Sequence, residues 1–270
     1  MNKSLAYIIG VFLGDGSIGA LQNRFTLEVI DKDFAEKTSK CLQNLFPDKE
    51  IKVKEVYRNY KGYKNKVRWR VQVSSVKFCR ELYRITEGKK HLPKDFEKWD
   101  KTLQNELISG LLDSEGWVGM RNVHYNWRND KIFDMSIGIG ACDIWLYELY
   151  FFLQKYRNAK VGKLNRTVLK SGKIFAKFSF NKKWFVKSGL YFNIFRKQQR
   201  IENYKILFPG STTKRDIPFS PEHKRKISEY QKRRIRTDAE RKKMSISAKK
   251  RVKRNVRNSK GQFVKGNNIV

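Results

Sequence analysis

Two carboxylates, Asp15 and Glu115, stand 100 positions apart at the ends of two closely similar stretches. The first, Ile8-Ile9-Gly10-Val11-Phe12-Leu13-Gly14-Asp15-Gly16, reads as an apolar helix closed by an acid and a glycine. It recurs as Ile108-Ser109-Gly110-Leu111-Leu112-Asp113-Ser114-Glu115-Gly116. A carboxylate in the last turn of a helix sits against the negative end of the macrodipole. Two such acids brought together repel unless a cation lies between them, and a divalent metal with oxygen ligands resolves that conflict. One copy alone would be an ordinary amphipathic helix with a glycine cap. Two copies with matched glycines and acids argue against that reading.

The elements that position the acids are the helices themselves. Gly10 and Gly14, or Gly110 and Ser114, fall at i and i+4 on one helical face. A face without bulk lets two helix backbones approach closely, so the two copies are expected to pack together and set Asp15 beside Glu115.

These paired stretches resemble the LAGLIDADG signature of homing endonucleases, in the single-chain form with two copies. In that family the motif helices form the interface of two pseudo-symmetric halves, and the acid before the last glycine binds the catalytic divalent metal. The resemblance therefore implies Asp15 and Glu115 as metal ligands, with Mg2+ or another divalent ion such as Mn2+ as cofactor. Leu13 stands where the signature usually has an earlier Asp, whereas Asp113 keeps that acid. The earlier acid is not the metal ligand in the family.

Composition narrows the partner. The 270 residues carry a formal net charge of +34, from 60 Lys+Arg against 26 Asp+Glu. Self-repulsion of that size calls for a polyanion: nucleic acid first, an anionic membrane surface as the weaker alternative. Cys41, Cys79 and Cys142 lack CxxC spacing, and His91, His124 and His223 are far apart, so neither a disulfide framework nor a zinc site is expected. No apolar run reaches membrane-spanning length. No targeting signal is visible after Met1, which suggests an intracellular protein of a bacterium, a phage-infected cell or an organelle.

Each half reads as helix, strand, helix, two strands, helix, with a short strand after each motif only loosely legible. Phe25 to Ile30 alternates as a strand and Asp31-Lys32-Asp33 starts a helix. Ile51 to Tyr57 and Val67 to Val73 form a hairpin, and Ser74-Ser75 caps the next helix. In the second half Met135 to Ile139 is a strand and Cys142-Asp143 opens an apolar helix. Val161 to Lys170 pairs with Lys173 to Phe180, and Asn181 caps a last helix. The expected fold class is α+β: a pseudo-two-fold pair of α-β-α-β-β-α units in residues 1–210, with repeats of about 1–100 and 101–210. The family resemblance implies that their antiparallel sheets form a saddle over DNA.

Both hairpins are basic. Lys52, Lys54, Arg58, Lys66, Arg68, Arg70 and Gln72 crowd the first, and Lys163, Arg166, Lys170, Lys173 and Lys177 the second. In Arg68-Trp69-Arg70-Val71-Gln72-Val73 the polar residues alternate, so one face of the strand is polar. Such a ribbon fits the major groove, where these side chains read guanine and adenine edges; a solvated sheet face is the alternative. The strand ends Arg70 to Ser74 and Lys177 to Asn181 align, which places a cation at the same point in each. Family members often carry a basic residue near there that assists hydrolysis, so Arg70 and Lys177 are candidate catalytic residues, with plain phosphate contacts as the alternative.

Beyond Pro209-Gly210 the composition shifts. Residues 220 to 270 hold 18 Lys+Arg against four acids. Ser220 to Ser228 and Thr237 to Ser245 match at an offset of 17, each with a cap and one apolar anchor, Ile227 or Met244. Residues 211–270 are thus expected to be a basic DNA-binding tail that folds on phosphate, with Lys224, Arg225, Lys226, Arg241, Lys242 and Lys260 as contacts. The segment is similar to modular DNA-binding repeats appended to homing endonucleases; an unstructured basic tail is the alternative.

Taken together, the residues and the resemblance point to a monomeric, site-specific endonuclease that breaks both strands of double-stranded DNA by metal-dependent phosphodiester hydrolysis. Two alternatives share the fold: a maturase that binds intron RNA, and a non-cleaving DNA-binding regulator.

Overall fold

Local signals in the sequence account for most helix starts. In the computed structural model, which describes residues 2–60, 63–123 and 132–207, Asn2 caps helix α1 (Lys3–Leu13) by accepting from Leu5 N at 2.8 Å. Ser75 caps α3 (Val76–Ile85), Asp100 caps α4 (Lys101–Glu115), and Asn181 caps α6 (Lys182–Ser188), each through its side chain. Helices α2 (Lys32–Leu45) and α5 (Ile144–Tyr156) begin after Asp31 and Asp143, whose side chains make no cap bond.

Eight strands form two antiparallel sheets among the described residues. The first has β1 (Ser17–Ile18), β2 (Arg24–Val29), β3 (Val53–Tyr60) and β4 (Tyr63–Ser74), in the order β1-β2-β4-β3. The second has β5 (Gly116–Val123), β6 (Ile132–Ala141), β7 (Asn165–Val168) and β8 (Ile174–Phe180), in the matching order β5-β6-β8-β7. Each acid is followed at once by an edge strand, β1 after Asp15 and β5 after Glu115. These two strands are only loosely legible in the sequence: β1 is two residues long, and β5 carries Gly116 and Gly119 instead of a clean alternation.

Period-two burial sets the faces. Phe25, Leu27 and Val29 of β2, Val71 and Val73 of β4, and Ala176, Phe178 and Phe180 of β8 are all buried. Helices α2 and α3 cover that side of the first sheet, and α5 and α6 cover it in the second. The opposite face of each sheet is left open by the described residues. Helix α1 is apolar on every side, and Ala6 through Leu13 are all buried, as a helix in the centre of a core must be. It packs against α4.

One helix was not legible. Helix α7 (Phe195–Leu207) is highly charged, and among its residues Ile201 and Tyr204 supply the buried apolar contacts. Too few apolar positions recur at helical spacing for periodicity to signal it. The tail contacts expected at Lys224, Arg225, Lys226, Arg241, Lys242 and Lys260 lie outside the described residues. No described helix is long and apolar enough to cross a membrane.

Candidate functional site

Helices α1 and α4 touch through their glycines. A Cβ on Gly10 would lie 2.1 Å from the Leu107 carbonyl oxygen, and one on Gly110 would lie 2.4 Å from that of Tyr7. One turn further, a Cβ on Gly14 would lie 2.2 Å from Ser114 Cβ and 3.4 Å from Glu115 Cγ. No side chain fits at the first two positions, because the atoms in the way are backbone. The crossing therefore carries the ends of both helices to the same place, and Asp15 and Glu115 with them.

The two acids act on each other. Partial burial pushes the Glu115 carboxyl up to about 7, and the charge of Asp15 is the next largest cause. Asp15 opens to solvent, yet the protein mass around it still raises its pKa above the usual carboxylate range. Two cations oppose these shifts at both acids: Lys89 and Lys197.

These lysines were missed in the sequence, and each donates to a backbone carbonyl near one of the acids. Lys89 Nζ donates to the Gly16 carbonyl at 2.9 Å, one residue past Asp15. Lys197 Nζ donates to the Asp113 carbonyl at 2.8 Å and more weakly to that of Leu112, just before Glu115. Burial lowers the pKa of each, with nearby acids pulling the other way. Lys89 sits in a turn after α3 in which Glu87, Gly88 and Lys89 all have positive φ, at 46°, 72° and 72°. The buried Thr86 holds that turn: its hydroxyl accepts from Lys89 N at 3.1 Å, and its carbonyl accepts from Lys90 N and His91 N. Non-glycine residues persist in the left-handed region only where their surroundings fix them. Lys197 lies in the first turn of α7 and is 7% exposed. A faint signal existed: the 107-residue offset of the two hairpin ends continues to these lysines as 108, whereas the acids repeat at 100.

Asp113 has a different task. Its carboxylate accepts from Tyr7 Oη at 2.8 Å, Asn193 N and Nδ2 at 2.8 Å, and Ile194 N at 3.2 Å. Burial lifts it to about 6 against the pull of those donors. It ties α1 to the segment that leads into α7, and so fixes Lys197. The same segment is held at α2, where Asp33 accepts from Phe195 N and Asp31 accepts from both Nε and Nη2 of Arg196.

The other sequence candidates fall in several places. Arg70 lies on the open face of the first sheet and is paired with Glu28, Nη2 to Oε2 at 2.9 Å. Lys177 is exposed on the open face of the second sheet. Neither is among the groups that shift Asp15 or Glu115. Lys54, Arg68 and Gln72 share the open face with Arg70 by register. Lys52 pairs with Glu50 at 2.8 Å. Arg58 and Lys66 are partners in the β3–β4 register, and their side chains lie outside those described. Arg166 falls on the helix side: it is paired with the buried Ala176, and its guanidinium lies 5.0 Å from the Tyr147 ring of α5. Lys163, Lys170 and Lys173 are exposed and lie off the strands.

Among the described residues, no three His, Cys, Asp or Glu side chains are placed so that they could hold one metal ion. The donor set at the helix ends is two carboxylates. That suits a hard cation such as Mg2+, which is commonly bound through one or two carboxylates, with water and substrate phosphate completing its shell. The upward push of Asp15 on Glu115 fits a cation between them.

Residues 2–86 match the family model described as LAGLIDADG-like domain. No curated protein matches the sequence. Among solved structures, the chain is similar to the homing endonuclease I-WcaI bound to its DNA recognition sequence, at 15% identity and a TM-score of 0.48, over 73% of this chain and 85% of that one. It is similar to I-DmoI in complex with its target DNA at 14% identity and a TM-score of 0.43, over 69% and 94%. It is also similar to the N-terminal LAGLIDADG domain of DUF199/WhiA at 13% identity and a TM-score of 0.42, over 74% and 80%.

Proposed function

We propose that this protein is a site-specific endonuclease that hydrolyses one phosphodiester in each strand of double-stranded DNA. The observation that carries the reading is the pair Asp15 and Glu115 at the ends of two glycine-packed helices, flanked by the half-buried Lys89 and the buried Lys197. Residues 1–210 form the catalytic unit in this reading, and the basic segment 211–270 adds affinity for DNA.

Asp15 and Glu115 would hold the divalent cation, Mg2+ being the best fit to two hard oxygen donors. Bound there, the cation supplies Lewis-acid neutralisation of the phosphate charge that builds up during displacement. The chain's own groups do the rest. Lys89 and Lys197 bring fixed positive charge to the scissile phosphates, where desolvation strengthens it. The glycine crossing fixes the two acids relative to each other, and Asp113 fixes Lys197 through the start of α7. Basic side chains on the open sheet face grip the DNA backbone and base edges.

The test uses duplex DNA carrying the uninterrupted form of the gene's own insertion site, with Mg2+, beside a Glu115→Gln variant. The expected result is Mg2+-dependent cutting of both strands, lost or reduced to nicking in the variant while binding persists. Tight binding without cutting in any divalent metal would sink the enzyme reading and leave a DNA-binding protein on this fold.

A further inference from the structure

The open faces of the two sheets are chemically unlike. In the first, the β2–β4 register sets Glu28 opposite Arg70 and Thr26 opposite Gln72. Arg70 donates to Glu28 Oε2 through Nε at 3.1 Å and Nη2 at 2.9 Å. Arg68 Nη1 lies 3.7 Å from Glu28 Oε1, and Gln72 Nε2 donates to Thr26 Oγ1 at 3.0 Å. The Glu28 side chain is 11% exposed beneath Arg70, which is 29% exposed. A guanidinium carries five donors in a rigid fork. With two of them on Glu28, its plane and direction are set while the rest remain for another acceptor.

The aligned positions of the second sheet are empty of such groups. Lys177 stands opposite Gly140 and Ser179 opposite Gly138. Aromatic rings fill the space: a Cβ on Gly138 would lie 2.2 Å from Trp117 Cζ2, and one on Gly140 2.7 Å from Phe175 Cζ. Trp117 is the register partner of Gly138, and Phe175 lies two residues from Lys177 on β8, so both rings share the open face. At these positions the face offers flat hydrocarbon and an exposed ammonium with Asn165 opposite it, while further along the same face the register sets Arg121 opposite Asp134.

Directed donors read base edges, guanine by Arg and adenine by Gln. Aromatic surfaces and a mobile Lys contact thymine methyls or phosphate and separate bases weakly. We propose that base discrimination under the centre of the first sheet exceeds that at the aligned positions of the second, with Glu28 as the positioning residue that aims Arg70 and Arg68. The aligned positions of the second sheet then hold DNA mainly by shape, apolar contact and charge. This inference rests on the DNA reading above.

The experiment is selection by the full chain from a randomised duplex pool in EDTA with heparin as competitor, followed by sequencing of the bound DNA. The expected site has two or three strongly constrained positions in one half and weaker constraint at the symmetry-related positions of the other. Selection with Glu28→Gln should relax two or three adjacent positions of the strong half by about tenfold or more in base preference. Its affinity for random duplex should be equal or higher, because a negative charge has left a cationic face. Arg70→Lys, which keeps the charge and loses the fork, should relax the same positions and guards against misfolding of the first variant. Trp117→Ala should weaken binding without changing which bases are enriched. Equal constraint at the symmetry-related positions of both halves, binding with no enriched bases, or an unchanged pattern in Glu28→Gln and Arg70→Lys would overturn the assignment and leave duplex binding intact. Absence of duplex binding against heparin would sink the DNA reading itself.

Discussion

Leu13 and Asp113 occupy the same turn of α1 and α4, and both are almost wholly covered, at 1% and 2% exposed. In the first half that place is filled with hydrocarbon. In the second it is filled with a carboxylate that accepts four hydrogen bonds. What docks against each helix end explains the contrast. In the second half the chain returns through Asn193 and Ile194 with backbone N–H groups turned toward α4, and a buried acceptor satisfies them. In the first half the returning turn closes on its own Thr86, and an apolar side chain suffices. The centres of the open sheet faces differ in the same spirit, with a polar network about Glu28 on one and aromatic rings over Gly138 and Gly140 on the other. Two halves of one ancestry-like pattern keep the acid and the lysine in place by unlike means.

The largest effect should come from the crossing that the halves share. Gly10→Ala drives a methyl into the Leu107 carbonyl, which cannot move without shifting α4. A cost above the usual overpacking range of about 1–3 kcal/mol is expected, seen as loss of the cooperative melting transition. Gly14→Ala meets the Ser114 side chain instead, so Ser114→Gly in the same chain should restore most of its Tm. Failure of that rescue would show the two contacts to be alike.

Exchanging the unlike positions comes next. Asp113→Leu gives the second half the residue of the first and strands four donors; a loss of about 3 kcal/mol in urea unfolding is expected. Leu13→Asp buries a carboxyl for which the returning turn offers no such donors, and should also destabilise. If Asp113→Leu were neutral, the docking account of the comparison would fail.

The choice of cations can be separated by kinetics. Lys89→Met and Lys197→Met should each lower single-turnover cleavage by about 100-fold, as expected for loss of preorganised charge at a reacting phosphate. Arg70→Ala and Lys177→Ala should instead alter binding while leaving the rate on bound DNA within about threefold. The reverse outcome would return the catalytic role to the hairpins.

A smaller effect concerns pH. Glu115 titrates near 7 and Asp113 near 6 in the folded chain, both above their ordinary values of 4.5 and 3.8. The folded state therefore holds protons that the unfolded chain has released, and stability falls as pH rises from about 4 to about 7. Without divalent metal, Tm should drop by a few degrees between pH 5 and pH 8, roughly 1–2 kcal/mol once solvent screening at Glu115 is allowed for. Glu115→Gln should flatten that slope. Added Mg2+ should raise Tm at pH 8 and do little at pH 5, where Glu115 is largely protonated.

The sequence alone determined what is periodic or repeated. Gly10, Gly14, Gly110 and Ser114 announce a close helix contact because bulk is missing at i and i+4 twice over. The acids that follow them are legible for the same reason. Alternation in β2, β4 and β8 marks one face apolar and the other polar, since successive strand residues point to opposite sides. Tertiary structure decided what turns and docking control. Lys89 reaches Gly16 only because a left-handed turn directs it there, and Lys197 reaches Asp113 only because α7 docks on a buried carboxylate. Arg166 counts as a basic hairpin residue in sequence, yet strand register turns it to the Tyr147 ring. Charge is written in the chain, but its direction in space depends on contacts between residues far apart in sequence, which no local period encodes.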